Sequence, residues 1–281
     1  MSVDNSKKEF NIEEAKRLYL EEKRSTVEIA KIFGFKTSKS ISDKLKACGV
    51  EIRTGQNLYT VSKNYSDDIF EKIDSEWKAY FLGLLLTDGW ITGERTVGYS
   101  SIDRDVVEYL SLLTGKSVQI VSHEKDRKFI NIQGYECNRR DEFRIILSSK
   151  KMVDDLVRLS VVSNKTHVLN GPNLEYNELQ YLPQIIRGII DGDGTFGFPS
   201  NNNKSIYFRI VSASEAFIDW CIYSLRILGM RNINKLQTRE NFWELNTAQS
   251  YNIEILVNSI YRGDFGMSRK KNKLIEHYLL R

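Results

Sequence analysis

The chain has 281 residues, 41% of them hydrophobic and 28% charged. That is a globular composition with room for a sizeable core, and it excludes a disordered tail. The longest apolar stretch, Tyr80–Leu86, falls far short of the roughly 18 residues that cross a bilayer, so no membrane partner is expected. The net charge of +4 is too mild to name a partner by itself.

Three cysteines (Cys48, Cys137, Cys221) are scattered without a CxxC pair, and three histidines (His123, His167, His277) lack metal-ligand spacing. A disulfide framework, a zinc site and Ser-His-Asp chemistry all lose ground, and a reducing, cytoplasmic compartment fits. The opening MSVDNSKKEF has no apolar signal region, so export is not expected.

Residues 1–54 read as a small all-α module. Ile12, Ala15, Leu18 and Tyr19 recur at helical spacing. Ser25 with Glu28 forms a capping-box pattern opening a second helix, and Gly34 permits a tight turn. A third helix follows from about Thr37 to Ala47, with Ile41 and Leu45 inward and Lys39, Ser42, Lys44 and Lys46 outward. This is a helix-turn-helix pattern, which would lay the third helix in a DNA major groove with Thr37, Ser38, Lys39, Ser42 and Asp43 nearest the bases. The plainer reading is a helical cap. Residues 55–75 mix Asn, Ser, Gly and Lys without periodicity and read as a linker.

The remainder is a repeat, 76–178 and 179–281. Phe81–Gly89 (FLGLLLTDG) and Ile186–Gly194 (IRGIIDGDG) are apolar helices with one internal glycine and an Asp-Gly at the end, 105 residues apart. The same offset maps Gly83 onto Gly188 and Ser163-Asn164-Lys165 onto Ser268-Arg269-Lys270. Each half reads helix, strand pair, helix, strand pair, helix. The first half has strands in Trp90–Ser101, Val118–Val121 and Phe143–Leu147, with helices over Val106–Leu113 and Met152–Leu159. The second has strands at Thr195–Phe198, Ile206–Val211, Ile233–Thr238 and Phe242–Leu245, with helices over Phe217–Leu228 and Ile253–Ile260. The fold class is α+β, a tandem αββαββα with antiparallel sheets.

A glycine inside a helix costs about 1 kcal/mol and needs a reason. Packing of helices 76–88 and 181–193 through Gly83 and Gly188 supplies one, and it brings Asp88 and Asp193 side by side. Two adjacent carboxylates repel unless cations sit between them. Mg²⁺, which takes carboxylate and phosphate oxygens, suits the place, and a paired-acid site suits displacement at phosphorus. Lys165 and Lys270 would stabilise the charge that develops there. Lys271 and Arg269 would replace Lys270 if the register slipped by one, or would contact phosphate. A lone Asp-Gly after a helix is only a turn; two copies in register, each with a lysine 77 residues on, point to catalysis.

The two motifs resemble those of the LAGLIDADG homing endonuclease family. The second matches closely; the first has Leu86 where the family often has an acid. The family's metal-binding acid is retained as Asp88 and Asp193, and Lys165 and Lys270 match its active-site lysine by spacing and context (VVSNKT, FGMSRKK). The likeness covers about residues 69–281, and helix-turn-helix modules are appended to such proteins. The resemblance implies a single-chain monomer whose two sheets form a saddle over a long, non-palindromic double-stranded DNA site. It implies Mg²⁺-dependent cutting of both strands across the minor groove. Two or three divalent ions would be shared between Asp88 and Asp193, with Gly89 and Gly194 completing the metal cradle.

On the saddle, alternation leaves Ser205, Tyr207 and Arg209 for DNA while Ile206, Phe208 and Ile210 turn inward. Thr92, Glu94 and Thr96 are the first-half candidates, and Arg269 and Lys271 are candidate phosphate contacts. Asp191 is expected to hydrogen-bond at the helix end and not to hold metal. The rival reading is a non-cleaving binder of the same fold, an intron RNA maturase or a transcriptional regulator. A sugar or nucleotide enzyme is a third, against which the lack of a GxxxxGKS loop counts. Richness in Lys, Asn and Ile hints at an AT-rich genome such as that of a phage, and no terminal His-Asn suggests a self-splicing intein.

Overall fold

In the computed structural model the described residues are 10–22, 24–52, 65–121, 128–130, 136–138, 140–197, 206–239, 241–263 and 265–279. The chain divides after Lys63 into two units.

The first unit holds three helices, α1 (Ile12–Leu20), α2 (Thr26–Ile32) and α3 (Ser38–Ala47). Local chemistry explains their ends. Asn11 caps α1 by accepting from the Glu13 and Glu14 amides, and Ser25 with Glu28 forms a complete capping box on α2. Gly34 turns the chain toward α3 with φ +69°, a conformation that favours glycine. Ala15, Leu18, Tyr19, Ile29, Ala30, Phe33, Ile41 and Leu45 make a small core of their own. Thr37, Lys39 and Asp43 are exposed on α3, while Ser38 and Ser42 are half-buried. Lys44 is not simply solvated, because its ammonium lies 4.9 Å from the Phe10 ring centroid.

The second unit begins earlier than a linker over 55–75 would allow. Ile69, Phe70 and Ile73 are buried in its main core, and the Ile73 amide donates to the buried Glu178 at 2.8 Å. The linker expectation fails for 65–75 because three apolar side chains within five residues, bracketed by polar ones, pack without showing a period. Residues 55–64 lie outside the described ones.

From there the order is α4 (Glu76–Thr87), β1 (Gly89–Thr92), β2 (Thr96–Ser101), α5 (Arg104–Thr114), β3 (Gln119–Val121), β4 (Lys128–Ile130), β5 (Glu136–Asn138), β6 (Glu142–Ser148) and α6 (Lys150–Arg158). Two 3-10 turns, Lys165–His167 and Tyr176–Tyr181, lead to the second copy. It comprises α7 (Leu182–Asp193), β7 (Thr195–Gly197), β8 (Tyr207–Ser212), α8 (Glu215–Ile227), β9 (Asn234–Arg239), β10 (Phe242–Thr247) and α9 (Ser250–Ile255), which runs on as a π turn over Leu256–Ile260. A last helix, α10 (Ser268–Leu279), closes the chain.

The two sheets have the same topology. Strand order is β1-β2-β6-β3 in one and β7-β8-β10-β9 in the other, antiparallel throughout. The β4–β5 hairpin is an insertion between β3 and β6 that the sequence pattern does not reveal. α4 is apolar on every side, with Ala79 through Leu86 all buried, as a helix at the centre of a unit must be. α4 and α7 lie against each other at that centre.

Candidate active site

Two glycines set the closeness of the central helices. A Cβ on Gly83 would stand 2.8 Å from the Gly188 Cα, and one on Gly188 would stand 2.8 Å from the Gly83 Cα. Such distances leave no room for a side chain, so the backbones touch. The contact fixes where both helices end. Asp88 follows the last residue of α4 as its C-cap, and Asp193 is the last residue of α7. Gly89 and Gly194 then let the chain double back: a Cβ at either would stand 2.8 Å from the Leu85 carbonyl oxygen or the Ile190 Cα respectively.

The two carboxylates keep contact with solvent yet sit among protein atoms that displace much of their water. Loss of hydration pushes Asp193 up to about 6, with the Asp88 charge adding to it and Lys270 and Lys165 opposing. Asp88 is raised by the same crowding, against the pull of Lys270 and Lys165. Each carboxylate therefore feels a lysine from both halves. A cleft beside Asp88 is lined by Ser100, Ser101, Asp103, Glu142, Gly192 and Arg269.

The lysines arrive by the same local device. Lys165 Nζ donates to the Leu85 carbonyl at 3.0 Å and to the Gly89 carbonyl. Lys270 Nζ donates to the Ile190 carbonyl at 2.8 Å and the Gly192 carbonyl at 2.9 Å. Leu85 and Ile190 stand at the same offset as the aspartates, so each ammonium binds the open carbonyl end of its own motif helix. Burial pushes Lys165 down to about 8 and Lys270 down as well.

The neighbours of Lys270 point elsewhere. Lys271 Nζ donates to the Gly263 carbonyl at 2.6 Å. Arg269 forms a two-pronged pair with Asp103 at 2.9 and 2.8 Å, which ties α10 to the start of α5. Asp191 is wholly buried and accepts from Tyr80, Tyr261 and the Met267 amide, so it holds the helix end from inside.

The donor set suits a hard divalent cation. Two carboxylates whose repulsion and crowding favour the protonated form gain from a cation between them, and remaining ligands would be water and phosphate oxygens. Among the described residues no group of three or more His, Cys, Asp or Glu gathers that could hold a metal ion. Gly89 fits the metal cradle poorly, because its carbonyl accepts the Lys165 ammonium.

On the sheet faces turned away from the core the register is definite. In β1 and β2, Ile91, Val97 and Tyr99 are buried, which leaves Trp90, Thr92, Thr96 and Ser100 on the opposite face. Trp90 pairs with Gly98, and a Cβ on Gly98 would run into the indole. The other sheet repeats the device, with the Tyr207 ring over Gly197. Glu94 sits in the turn between β1 and β2, not on a strand, because Gly93 (φ +59°) closes the hairpin there. Tyr207 and Arg209 share the open face of β8, whereas Ile206, Phe208 and Ile210 are buried; Ser205 lies outside the described residues. Sequence reasoning missed Arg144, Glu244 and Asn246 on that face. Arg144 stands against Glu142 at 2.6 Å, and the Asn246 amide donates to Glu244 at 2.7 Å. The visible signal was their alternation with Phe143, Ile145, Trp243 and Leu245.

The duplicated sheets under paired, glycine-packed helices decide the architecture. The second unit is a tandem α+β repeat, with two four-stranded antiparallel sheets of the same strand order. No family model and no curated protein matches the chain. It is similar to several solved structures. A mesophilic variant of the homing endonuclease I-DmoI shares 17% identity over 75% of this chain and 100% of its own, with a TM-score of 0.43. The meganuclease I-SmaMI bound to uncleavable DNA shares 13% over 73% and 92%, at 0.46. Full-length DUF199/WhiA from Thermatoga maritima shares 15% over 78% and 67%, at 0.44. No helix among the described residues is long and apolar enough to cross a membrane.

Proposed function

We propose that the chain is a site-specific endonuclease that hydrolyses both strands of double-stranded DNA with divalent ions, Mg²⁺ in the cell. The observation that carries this reading is the doubled set of one helix-end aspartate and one lysine, on two helices that touch through Gly83 and Gly188.

Asp88 and Asp193 would hold the ions, and their charges are the part of the site that a cation relieves. The bound ions would supply Lewis-acid stabilisation of charge at phosphorus. Lys165 and Lys270 are fixed in direction by helix-end carbonyls, so their charge is preorganised for an anionic transition state and needs no rearrangement. With a folded value near 8, Lys165 is mostly charged at neutral pH. The two halves each bring one lysine, which matches two phosphodiesters to be broken, one per strand. A single chain with two unlike halves acts as a monomer on a non-palindromic site.

Tyr207, Arg209, Thr92 and Thr96 face outward from the sheets, where side chains can reach base edges. Trp90, Arg144, Glu244 and Asn246 join them. α3 of the first unit presents Thr37, Lys39 and Asp43 to solvent, with Ser38 and Ser42 beside them, and reads a major groove in this proposal. Arg269 reaches DNA only by leaving Asp103, and Lys271 only by leaving Gly263.

Incubation with Mg²⁺ and a randomised duplex library tests the reading. Double-strand cuts at a defined site are expected from the wild type, and none from Asp88→Asn or Asp193→Asn, each of which keeps its DNA affinity. Specific binding without cutting by the wild type would favour the non-cleaving regulator, and preference for structured RNA would favour a maturase.

A further inference from the structure

The helix that ends in Asp193 carries something its partner lacks. Arg187 and Asp191 are both wholly buried on α7, one turn apart, with Nε 3.9 Å from the carboxylate. Their counterparts at the repeat offset, Leu82 and Leu86 on α4, are equally buried and apolar. Burying a charged pair where leucines serve the other half is no gain in stability, because desolvation offsets the attraction. The pair's remaining bonds show what it does instead.

Among the described residues, all but one of the pair's hydrogen bonds lead to a single loop. Arg187 donates to the Arg262 carbonyl at 3.2 Å and to the Phe265 carbonyl, and its guanidinium lies 4.1 Å from the Phe265 ring centroid. Asp191 accepts from the Tyr261 hydroxyl at 2.7 Å and the Met267 amide at 3.1 Å; the exception is Tyr80 on α4, at 2.8 Å. At Gly266 the backbone has φ +80°, and a Cβ there would stand 2.9 Å from the Tyr80 hydroxyl and 3.1 Å from Arg187 Nη2. The loop is thus pressed onto the pair. One residue past Met267, α10 begins, and Lys270 lies in its first turn.

The first half manages differently. Leu159 and Val161 are buried in the core, the Ser160 hydroxyl donates to the Gly171 carbonyl, and the Ser163 hydroxyl donates to the Ile91 carbonyl. Apolar burial and two hydroxyls hold the approach to Lys165.

We propose that Arg187 and Asp191 are positioning residues for Lys270: a buried polar clamp that fixes the 261–267 loop and so sets the second lysine independently of the first. The proposal rests on the nuclease reading for its consequence, which is a division of labour. Loosening the clamp should disable one lysine and leave the other, so the enzyme becomes one that nicks a single strand.

The variant R187M/D191N tests this. It removes the guanidinium from the loop carbonyls, while the Asn amide still bonds beneath Tyr80 and Tyr261 and no charge is stranded. Single-turnover cutting is followed strand by strand, in Mg²⁺, on a duplex carrying the site that the wild type selects from a random library. One strand should be cut more slowly by on the order of tenfold or more and the other within about twofold of wild type, with DNA affinity retained. Amide hydrogen exchange should quicken over 261–270 and not over 159–168. R187K should recover part of the lost rate. Equal slowing of both strands, or unchanged exchange at 261–270, overturns the clamp. If the double variant does not fold, Y80F, which removes one bond to Asp191 and keeps the ring, should show the same one-strand bias at smaller size, and an unbiased Y80F overturns it. If the wild type cuts no DNA, the nuclease reading falls, while the exchange comparison still decides whether the pair holds the loop.

Discussion

The two halves of the second unit share sheets, helix ends and lysine placement, yet they are finished with opposite chemistry. Under the first motif, Leu82 and Leu86 complete an apolar helix; under the second, Arg187 and Asp191 sit equally deep and spend their hydrogen bonds on a loop. The common part is what the backbone geometry demands: close helices, turned-back glycines and an ammonium on the carbonyl end. The differing part is how each half secures the segment that brings its lysine. Duplication thus fixes the site and leaves its supports free to diverge.

The comparison can be broken hardest at its shared element. Gly83→Val or Gly188→Val forces apart backbones that have no space for a Cβ and should cost about 3 kcal/mol or more, read as a lowered midpoint in urea. Next is the element that differs. Arg187→Leu alone leaves the Asp191 carboxylate buried without its partner and should cost about 3–5 kcal/mol, whereas Leu82→Met at the matching place should cost under about 1.5 kcal/mol. Equal losses at the two positions would mean that the asymmetry is cosmetic.

A finer probe is pH. Asp193 has a folded value near 6, above its ordinary value, so the folded protein holds a proton there that the unfolded chain releases. Without divalent ions, stability contributed by this group is therefore present at low pH and lost as pH rises through about 6. The melting temperature of metal-free protein should rise between pH 7 and pH 5, and Asp193→Asn should flatten that rise. Cutting at limiting Mg²⁺ should run the other way, weakening as pH falls because protonation of Asp193 competes with the cation. The smallest expected effect is at the exposed tie between the halves. Arg269→Ala should change stability by about 0–1 kcal/mol, since Arg269 is more than half open to solvent.

Much of this was legible in the sequence because its signals are local or periodic. The Ser25 cap, the strand alternation around Phe208 and the 105-residue register all lie within short windows or repeat at a fixed distance. What was hidden depends on partners far along the chain. Arg187 in an apolar helix is a visible anomaly, but its meaning lies 75 residues on, at Arg262. The burial of Ile69, Phe70 and Ile73 has no period to betray it, and Glu94 reads as strand until Gly93 is seen to close a turn. Gly98 has no side chain to show which face of β2 it belongs to, and the Trp90 ring that covers it comes from the cross-strand partner.

In the proposed enzyme Asp88 and Asp193 share divalent ions at one place. Anomalous scattering from crystals of the protein with its DNA and Mn²⁺ measures this directly. The expected result is manganese bound between the two carboxylates, lost from that place in Asp88→Asn. Manganese bound to one aspartate alone, or lying elsewhere with both carboxylates bare, would contradict it.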